Sequence, residues 1–438
     1  MQKKKVYAVS TAHLDTVWRW DLRKTIEEYL PDTLRKNFDL IERYPDYCFN
    51  FEGAFRYQLI EEYYPLAFAE IQNLVKRGNW YPAGACYENG DVNIPSPEAL
   101  FRNILLGNRY FQEKFGVQSK DIFLPDCFGF GQALPSVMKY AGLLGFTTQK
   151  LSWGSAYGVP FTLGYWQGVD GSRVLACPNA RSYRSKFSGD LRGEVSVIDD
   201  VAKNAFEGGL PYAQHLYGTG DVGGAPTEES VQSVCASAAE NGRKDFDVIS
   251  AQSDQIFKDI DALPDSDKDR LPVWNNELLM TSHGAGGYTA RAMGKRLNRQ
   301  CEVLADVAEG TLSTAELLGV YTYPQETVTK AWERLIQHQF HDDLPGTSNM
   351  DIYNTGWNDY HTSLVQLQGE YTGAVGAIAN QLDTQWVTDC ALIVHNPLPF
   401  ARTESVEAHV RLNHNGKYLR VLDRDGNELP SQVIRKEG

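Results

Sequence analysis

The chain has no apolar run of membrane-spanning length, which excludes a transmembrane helix of the usual ~20 residues. It has no positive excess either. The formal net charge is −14, which argues against a nucleic-acid surface. Its seven cysteines are odd in number and share no paired spacing, so they read as reduced thiols and not as a disulfide framework. The N-terminus Met1-Gln-Lys-Lys-Lys5 runs straight into a strand without an apolar signal region, and the expected compartment is the cytoplasm. No repeat and no low-complexity segment interrupts the chain. At 438 residues, with 42% hydrophobic and 22% charged residues, it has the length of two or three globular domains with a large core.

The stretch that organises what is present is Thr11-Ala-His-Leu-Asp-Thr-Val-Trp18. It follows Lys5-Val-Tyr-Ala-Val-Ser10, a run rich in strand-favouring residues. On an extended segment, residues two apart point the same way, so His13 and Asp15 project together. That is half of a His/carboxylate metal site; the plainer reading is a core histidine beside a capping aspartate.

Strands and helices then alternate. Helices are expected over about 25–44 and 55–78, interrupted by Pro31 and Pro65, with Gly78 as a stop. Ser96 and Pro97 open another, to about Phe115. Further helices are expected at Gln132–Leu144 and Glu228–Ala239. Strands are expected at Tyr47–Phe51, Trp80–Tyr87, Asp121–Asp126, Thr147–Trp153, Tyr165–Val169, Arg173–Cys177, Ala213–Asp221 and Leu271–Met280, with 182–211 left mixed. This alternation predicts a parallel α/β architecture. His13, Asp15, Asp126 and Asp221 fall at C-terminal ends of its strands, the face on which such folds build chemistry.

From about Arg291 the period becomes helical, at about 290–308, 327–342 and 360–382, which reads as a three-helix bundle. Ala391–His395 reads as a strand, and turn signals follow at Asn413–Gly416 and Asp423–Gly426. The tail looks like the start of a β domain too short to close a sandwich, as in a piece of a longer protein.

Four separated motifs carry a resemblance. They are Ala12-His-Leu-Asp-Thr-Val-Trp18, Leu124-Pro-Asp-Cys-Phe-Gly129, Tyr217-Gly-Thr-Gly-Asp-Val-Gly-Gly-Ala-Pro-Thr227 and Gln339-Phe-His-Asp-Asp-Leu-Pro-Gly346. Lys150-Leu-Ser-Trp153, Asp170–Ala176 and His395-Asn-Pro-Leu398 fit as well. In this order they resemble glycoside hydrolase family 38, the zinc-dependent α-mannosidases, in the branch that includes cytosolic and bacterial enzymes. The resemblance implies a seven-stranded (β/α) barrel-like catalytic domain over 1–285, a three-helix bundle carrying a metal ligand over 286–388, and the start of a β-sandwich over 389–438. It implies one Zn2+ per chain held by His13, Asp15, Asp126 and His341, with Asp126 also the nucleophile and Asp221 the general acid/base. The implied substrate is a mannose-containing oligosaccharide, and the family includes homo-oligomers. Trp18 would stack on a sugar face, while Asp342 and Asp91 would meet its hydroxyls. Asn89-Gly-Asp-Val-Asn93 departs from the family's Glu-Pro-Asp-like pattern, and Asp343 stands where the family carries an apolar residue.

The residues support this chemistry independently. A retaining glycosidase needs two carboxyl groups about 5–5.5 Å apart, one to attack and one to protonate the leaving oxygen. Glycines 218, 220, 223 and 224 read as letting backbone approach a sugar. Trp153 and Tyr288 read as packing, and His283 and His338 as structural or solvated. Two other classes remain open: a metal-dependent carbohydrate deacetylase or amidohydrolase, which needs no second carboxylate, and a binding fragment without turnover.

Overall fold

The computed structural model describes residues 3–411 and 419–435. The strands of its first 300 residues are β1 (Lys4–Ala12), β2 (Phe49–Glu52), β3 (Trp80–Ala83), β4 (Asp121–Phe123), β5 (Gly129–Phe130), β6 (Gly145–Thr147), β7 (Gly164–Gln167), β8 (Arg173–Cys177), β9 (Tyr212–Thr219), β10 (Phe246–Ser250), β11 (Val273–Trp274) and β12 (Leu278–Leu279). Strand β1 is the hub. One edge runs parallel to β9, from Lys5 opposite Tyr212 to Ala12 opposite Thr219. The other edge takes β10 along Lys4–Ala8 and then β2 at Ser10 and Thr11. Val6 to Ala12 are all buried, as expected for a strand covered on both faces, so β1 reads as a continuous run without alternation.

While β5 pairs with β12 antiparallel, the other ten of these strands form two five-stranded sheets, mainly parallel, and not one continuous seven-stranded ring. Two single backbone bonds link them: Ala85 N–H donates to Asp121 O (2.8 Å) and Leu216 N–H donates to Ala180 O (2.7 Å). At the first seam the strands are short, four residues in β3 and three in β4. Pro125 offers no N–H, so β4 ends after three residues and its chain leaves the sheet as a loop.

Helices alternate with the strands, and prolines mark their edges. Pro65 begins a new helix, Pro65–Arg77, after Ala54–Tyr63, and Gly78 closes it with φ 82°. Pro31 opens the regular helix Leu30–Arg43, behind a five-residue π-turn at Thr25–Tyr29, and does not kink it midway. The Ser96 hydroxyl caps Pro97–Phe115 by accepting from Ala99 N–H (3.2 Å).

Other expectations are corrected. Lys150–Trp153 is a 3₁₀ turn, because the extended run ends at Thr147. The Gln132–Leu144 helix shrinks to Leu134–Tyr140. The mixed region holds a helix, Val195–Gly208. Leu271–Met280 divides into β11 and β12.

The chain separates into two units. The first comprises 1–306 and 325–368. It includes all the sheets above, the helix Gln325–Gln337 and parts of Ala292–Leu317 and Met350–Ala379. Within it, Gln339 Nε2 donates to Asn298 Oδ1 (2.9 Å) and Arg334 donates to Gln366 Oε1 (2.8 Å), tying these helices together. The expected helix to Asp342 stops at Gln337, which leaves His341 and Asp342 in a turn.

The second unit comprises 307–324 and 369–438. Its hairpin pairs β13 (Val421–Leu422) with β14 (Glu428–Leu429) around the expected Asp423–Gly426 turn, where Asp423 Oδ1 accepts N–H of Asp425 and Asn427. Ala391–His395 is not a strand. The turn signal at Asn413–Gly416 lies outside the described residues.

Candidate active site

His13 and Asp15 lie just beyond β1, on either side of Leu14. An isolated antiparallel bridge from Leu14 to Val222 keeps this segment extended. Asp15 N–H donates to Asp221 O (2.8 Å), and Gly223 N–H donates to His13 O (3.1 Å). Behind it, the fully buried Arg56 guanidinium donates twice to Leu14 O (2.9 and 2.6 Å) and pairs with Glu88 at 3.0 Å. The i, i+2 projection read from the sequence is therefore enforced by partners from distant loops.

Asp126 sits in the loop after β4. His341 arrives from the turn after Gln325–Gln337. One ligand atom from each of His13, Asp15, Asp126 and His341 lies within 4.8 Å of the others. Donors about 2.0–2.2 Å from one tetrahedral zinc ion are spaced by roughly 3.4 Å, so a small inward adjustment closes this set on a cation. Both imidazoles are already oriented for it. His13 Nδ1 faces Glu52 Oε1 at 2.7 Å, and His341 Nδ1 donates to Asn89 O at 2.9 Å. These partners turn both Nε2 atoms inward, the outer-shell arrangement of metal-ligating histidines. His341 Nε2 is buried with no hydrogen-bond partner, facing Asp15 Oδ1 at 3.4 Å, Asp126 Oδ2 at 3.7 Å and Asp342 Oδ2 at 3.8 Å. A buried nitrogen aimed at three carboxylates fits a cation site.

The electrostatics agree. Burial opposes charge on Asp15, yet the hydrogen bond from His13 and the nearby His341 imidazole prevail and hold its carboxyl below the usual range. Burial likewise opposes charge on His13, but Asp15 and Glu52 raise it well above the ordinary histidine value. Asp342 is pushed up to about 7 by burial first and by the Asp15 charge second.

The second carboxylate, Asp221, follows β9 and has φ 70°, a strained conformation for a non-glycine residue. The Tyr183 hydroxyl lies 3.1 Å from Asp126 Oδ1 and 3.0 Å from Asp221 Oδ1. Those two oxygens are therefore at most about 6 Å apart. Burial, then the charges of Asp126 and Asp221, push the Tyr183 phenol up, so it stays a donor. The buried Lys150 ammonium pairs with Asp126 Oδ1, and the half-exposed Arg184 with Asp221 Oδ2.

The glycine run serves this geometry differently from expectation. A Cβ at Gly220 would overlap the Tyr183 ring, and one at Gly218 would overlap Thr11 O, so these glycines make room for protein atoms. Tyr183, Glu52 and Arg56 carried no motif signal; only the buried charge of the last two, visible once folded, marks them.

The proposed substrate residues divide. Asp342 joins the cluster, with Oδ1 accepting from Thr347 Oγ1 at 2.5 Å. Asp91 is buried and uses both oxygens on the protein: Tyr288 O–H (2.6 Å) on one, and Asn93 and Ile94 N–H (3.0 and 2.7 Å) on the other. It shapes a turn. Trp18 is half-buried, with the Arg19 guanidinium 4.0 Å from its ring centroid. Asp343 gains an explanation: it pairs with His338 Nδ1 at 2.7 Å, while His338 Nε2 faces Asp359 at 2.9 Å. His338 is thus buried and ion-paired, not solvated. All seven cysteines are free. No described helix is long and apolar enough to cross a membrane.

Residues 3–277 match the description "Glycosyl hydrolases family 38 N-terminal domain", and residues 283–378 match "Alpha mannosidase middle domain". Alpha-mannosidase 2C1 of Homo sapiens is 31% identical over 402 residues, 91% of this chain and 37% of that protein. An alpha-mannosidase of Saccharomyces cerevisiae is 29% identical over 420 residues, 93% of this chain and 37% of that protein. The chain thus spans little more than a third of the length of these relatives. The crystal structure of an alpha-mannosidase from Enterococcus faecalis V583 shares the fold, with a TM-score of 0.71 over 86% of this chain and 43% of that one, at 20% identity. On the family match across both regions, the chain belongs to glycosyl hydrolase family 38.

Proposed function

We propose that this chain carries the catalytic centre of a zinc-dependent, retaining exo-α-mannosidase acting on terminal α-linked mannose of a glycan. The observation that carries the reading is the pair Asp126 and Asp221, bridged by one tyrosine hydroxyl beside a buried His/Asp cluster. A deacetylase would need the cluster and not the second carboxylate. The names of the relatives support mannose as the sugar.

In this reading His13, Asp15, Asp126 and His341 hold the cation. When bound, it supplies Lewis-acid contact to adjacent sugar hydroxyls. Asp126 attacks the anomeric carbon. Lys150 and Tyr183 orient its Oδ1, while Oδ2 faces the ligand set. Asp221 gives a proton to the leaving oxygen and later takes one from water. Arg184 must leave Asp221 Oδ2 when substrate enters, which its half-exposed side chain permits. Asp342 accepts from a sugar hydroxyl, and Trp18 offers its ring once Arg19 moves aside.

The two single bonds between the sheets support a barrel-like ring of β1, β2, β3, β4, β6, β8 and β9. We take 1–285 as the catalytic domain, 286–388 as a three-helix bundle supplying His341, and 389–438 as the start of a β domain. The free thiols support a reducing, cytoplasmic setting.

The test is hydrolysis of an aryl α-D-mannoside with and without chelator, beside Asp126→Asn. Metal-dependent turnover lost in the variant, with the anomeric configuration of mannose retained, is expected. Inverted product, or turnover indifferent to chelator, overturns the reading.

A further inference from the structure

A chain of rings leads from the buried cluster towards solvent. The His13 and His341 rings stack at 5.4 Å between centroids, Phe128 lies 5.9 Å from His341, His283 6.3 Å from Phe128, and Trp153 4.6 Å from His283. Exposure rises along it: both metal-cluster histidines and Phe128 are buried, whereas His283 is exposed and Trp153 is 39% exposed. Tryptophan is enriched at recognition surfaces, where one end of the ring is apolar and the other wet.

The last two rings are held in place. Ser282 Oγ donates to Trp153 O (3.0 Å), and Thr281 donates to Gly154 O through both N–H (2.9 Å) and Oγ1 (3.1 Å). The Trp153 indole N–H donates to Gln149 Oε1 (3.1 Å), and the Lys150 ammonium lies 4.8 Å from its ring centroid. His283 has φ 49°, a conformation that costs energy outside glycine and concentrates at functional sites. It also lies within the electrostatic reach of Lys150, Asp126 and Asp221. Through Lys150, which pairs with Asp126, the Trp153 ring stands beside the first of the two carboxylates.

We propose that Trp153 and His283 form the platform for the leaving-group sugar, the hexopyranose on the far side of the scissile bond. A pyranose presents axial C–H groups that pack on an aromatic face, and its hydroxyls can reach the imidazole nitrogens of His283. This rests on the glycosidase reading and adds specificity to it: a saccharide leaving group is favoured over a small one.

The experiment compares α-D-mannosyl fluoride, which has no leaving sugar, with mannobiose, in Trp153→Ala, Trp153→Phe and His283→Asn, the asparagine tolerating the left-handed backbone. The Trp153→Ala loss in kcat/KM should be about three- to tenfold greater for mannobiose than for the fluoride, the range carried by an aromatic contact. Trp153→Phe should recover most of the difference. Independently, the Trp153 indole N–H resonance, assigned by its loss in Trp153→Phe, should move on titration with mannobiose. A resonance shift without hydrolysis of either compound upholds the platform while defeating the mannosidase reading. Equal losses on both substrates, or an unmoved resonance under turnover, overturn the platform.

Discussion

Replacing Tyr183 by phenylalanine removes one oxygen from the space between two carboxylates. Its hydroxyl is within hydrogen-bond distance of Asp126 Oδ1 and Asp221 Oδ1, but it has a single proton, so at any moment it donates to one and is the nearest dipole to the other. A hydrogen bond to a charged group contributes about 1.5–3 kcal/mol. If the bond matters more in the transition state than in the ground state, Tyr183→Phe lowers kcat by about 10- to 150-fold, at about 1.4 kcal/mol per tenfold. The ring still packs beside Gly220 and near His13, so the fold should hold. Because the phenol pKa is raised, the donor persists across the working range and the loss should not vary with neutral pH. The assay is steady-state hydrolysis of an aryl α-mannoside from pH 5 to 8, with thermal melts as a control on folding. A Tyr183→Phe enzyme within twofold of the parent in kcat, at unchanged melting temperature, would refute the bridging role.

Gly220→Ala should act on the same bridge from the other side, by forcing the Tyr183 ring away; activity should fall with a stability loss of about 1–3 kcal/mol in urea melts, and a fully active variant would contradict the packing. Glu52→Gln removes the carboxylate that orients His13, so zinc affinity measured by chelator competition should weaken about 10- to 100-fold, and unchanged affinity would exclude that role. Stability should also depend on Asp121, whose carboxyl is pushed up to about 7 by burial and then by the Asp254 charge. A raised folded pKa favours the protonated native state, so this contribution is full below about pH 4 and lost as pH rises through about 7, roughly 1–4 kcal/mol in all. Urea midpoints from pH 4 to 8 should fall less steeply in Asp121→Asn; an identical slope would rule Asp121 out.

Local chemistry was legible where one residue type decides one local geometry. Ser96 capped its helix, Gly78 and Pro65 ended and began theirs, and the Asp423–Gly426 turn formed, because each needs only neighbours in sequence. Lengths were misjudged where tertiary partners decide them. Lys150–Trp153 carries strand-like residues, yet leaves the sheet to bring Lys150 onto Asp126. The last turn of the expected helix to Asp342 unwinds because Gln339–His341 pairs instead with Asn89–Asp91, through Asp91 N–H to Gln339 O and His341 N–H to Asn89 O.

The same division applies to the site. The residue types at His13, Asp15, Asp126, Asp221 and His341, and their order in recognisable motifs, were readable from the chain alone, since ligand and proton-transfer chemistry admits few side chains. Which groups orient them was not. Glu52, Arg56 and Tyr183 carry no local pattern that distinguishes them from ordinary polar residues, and although Lys150 and Asn89 lie in stretches singled out in the sequence, nothing local says which groups they meet. Only the folded chain decides that Glu52 meets His13 and that Tyr183 lies between two carboxylates. Those meetings depend on strand register and loop path, which are set by burial over the whole domain and not by any one stretch of sequence.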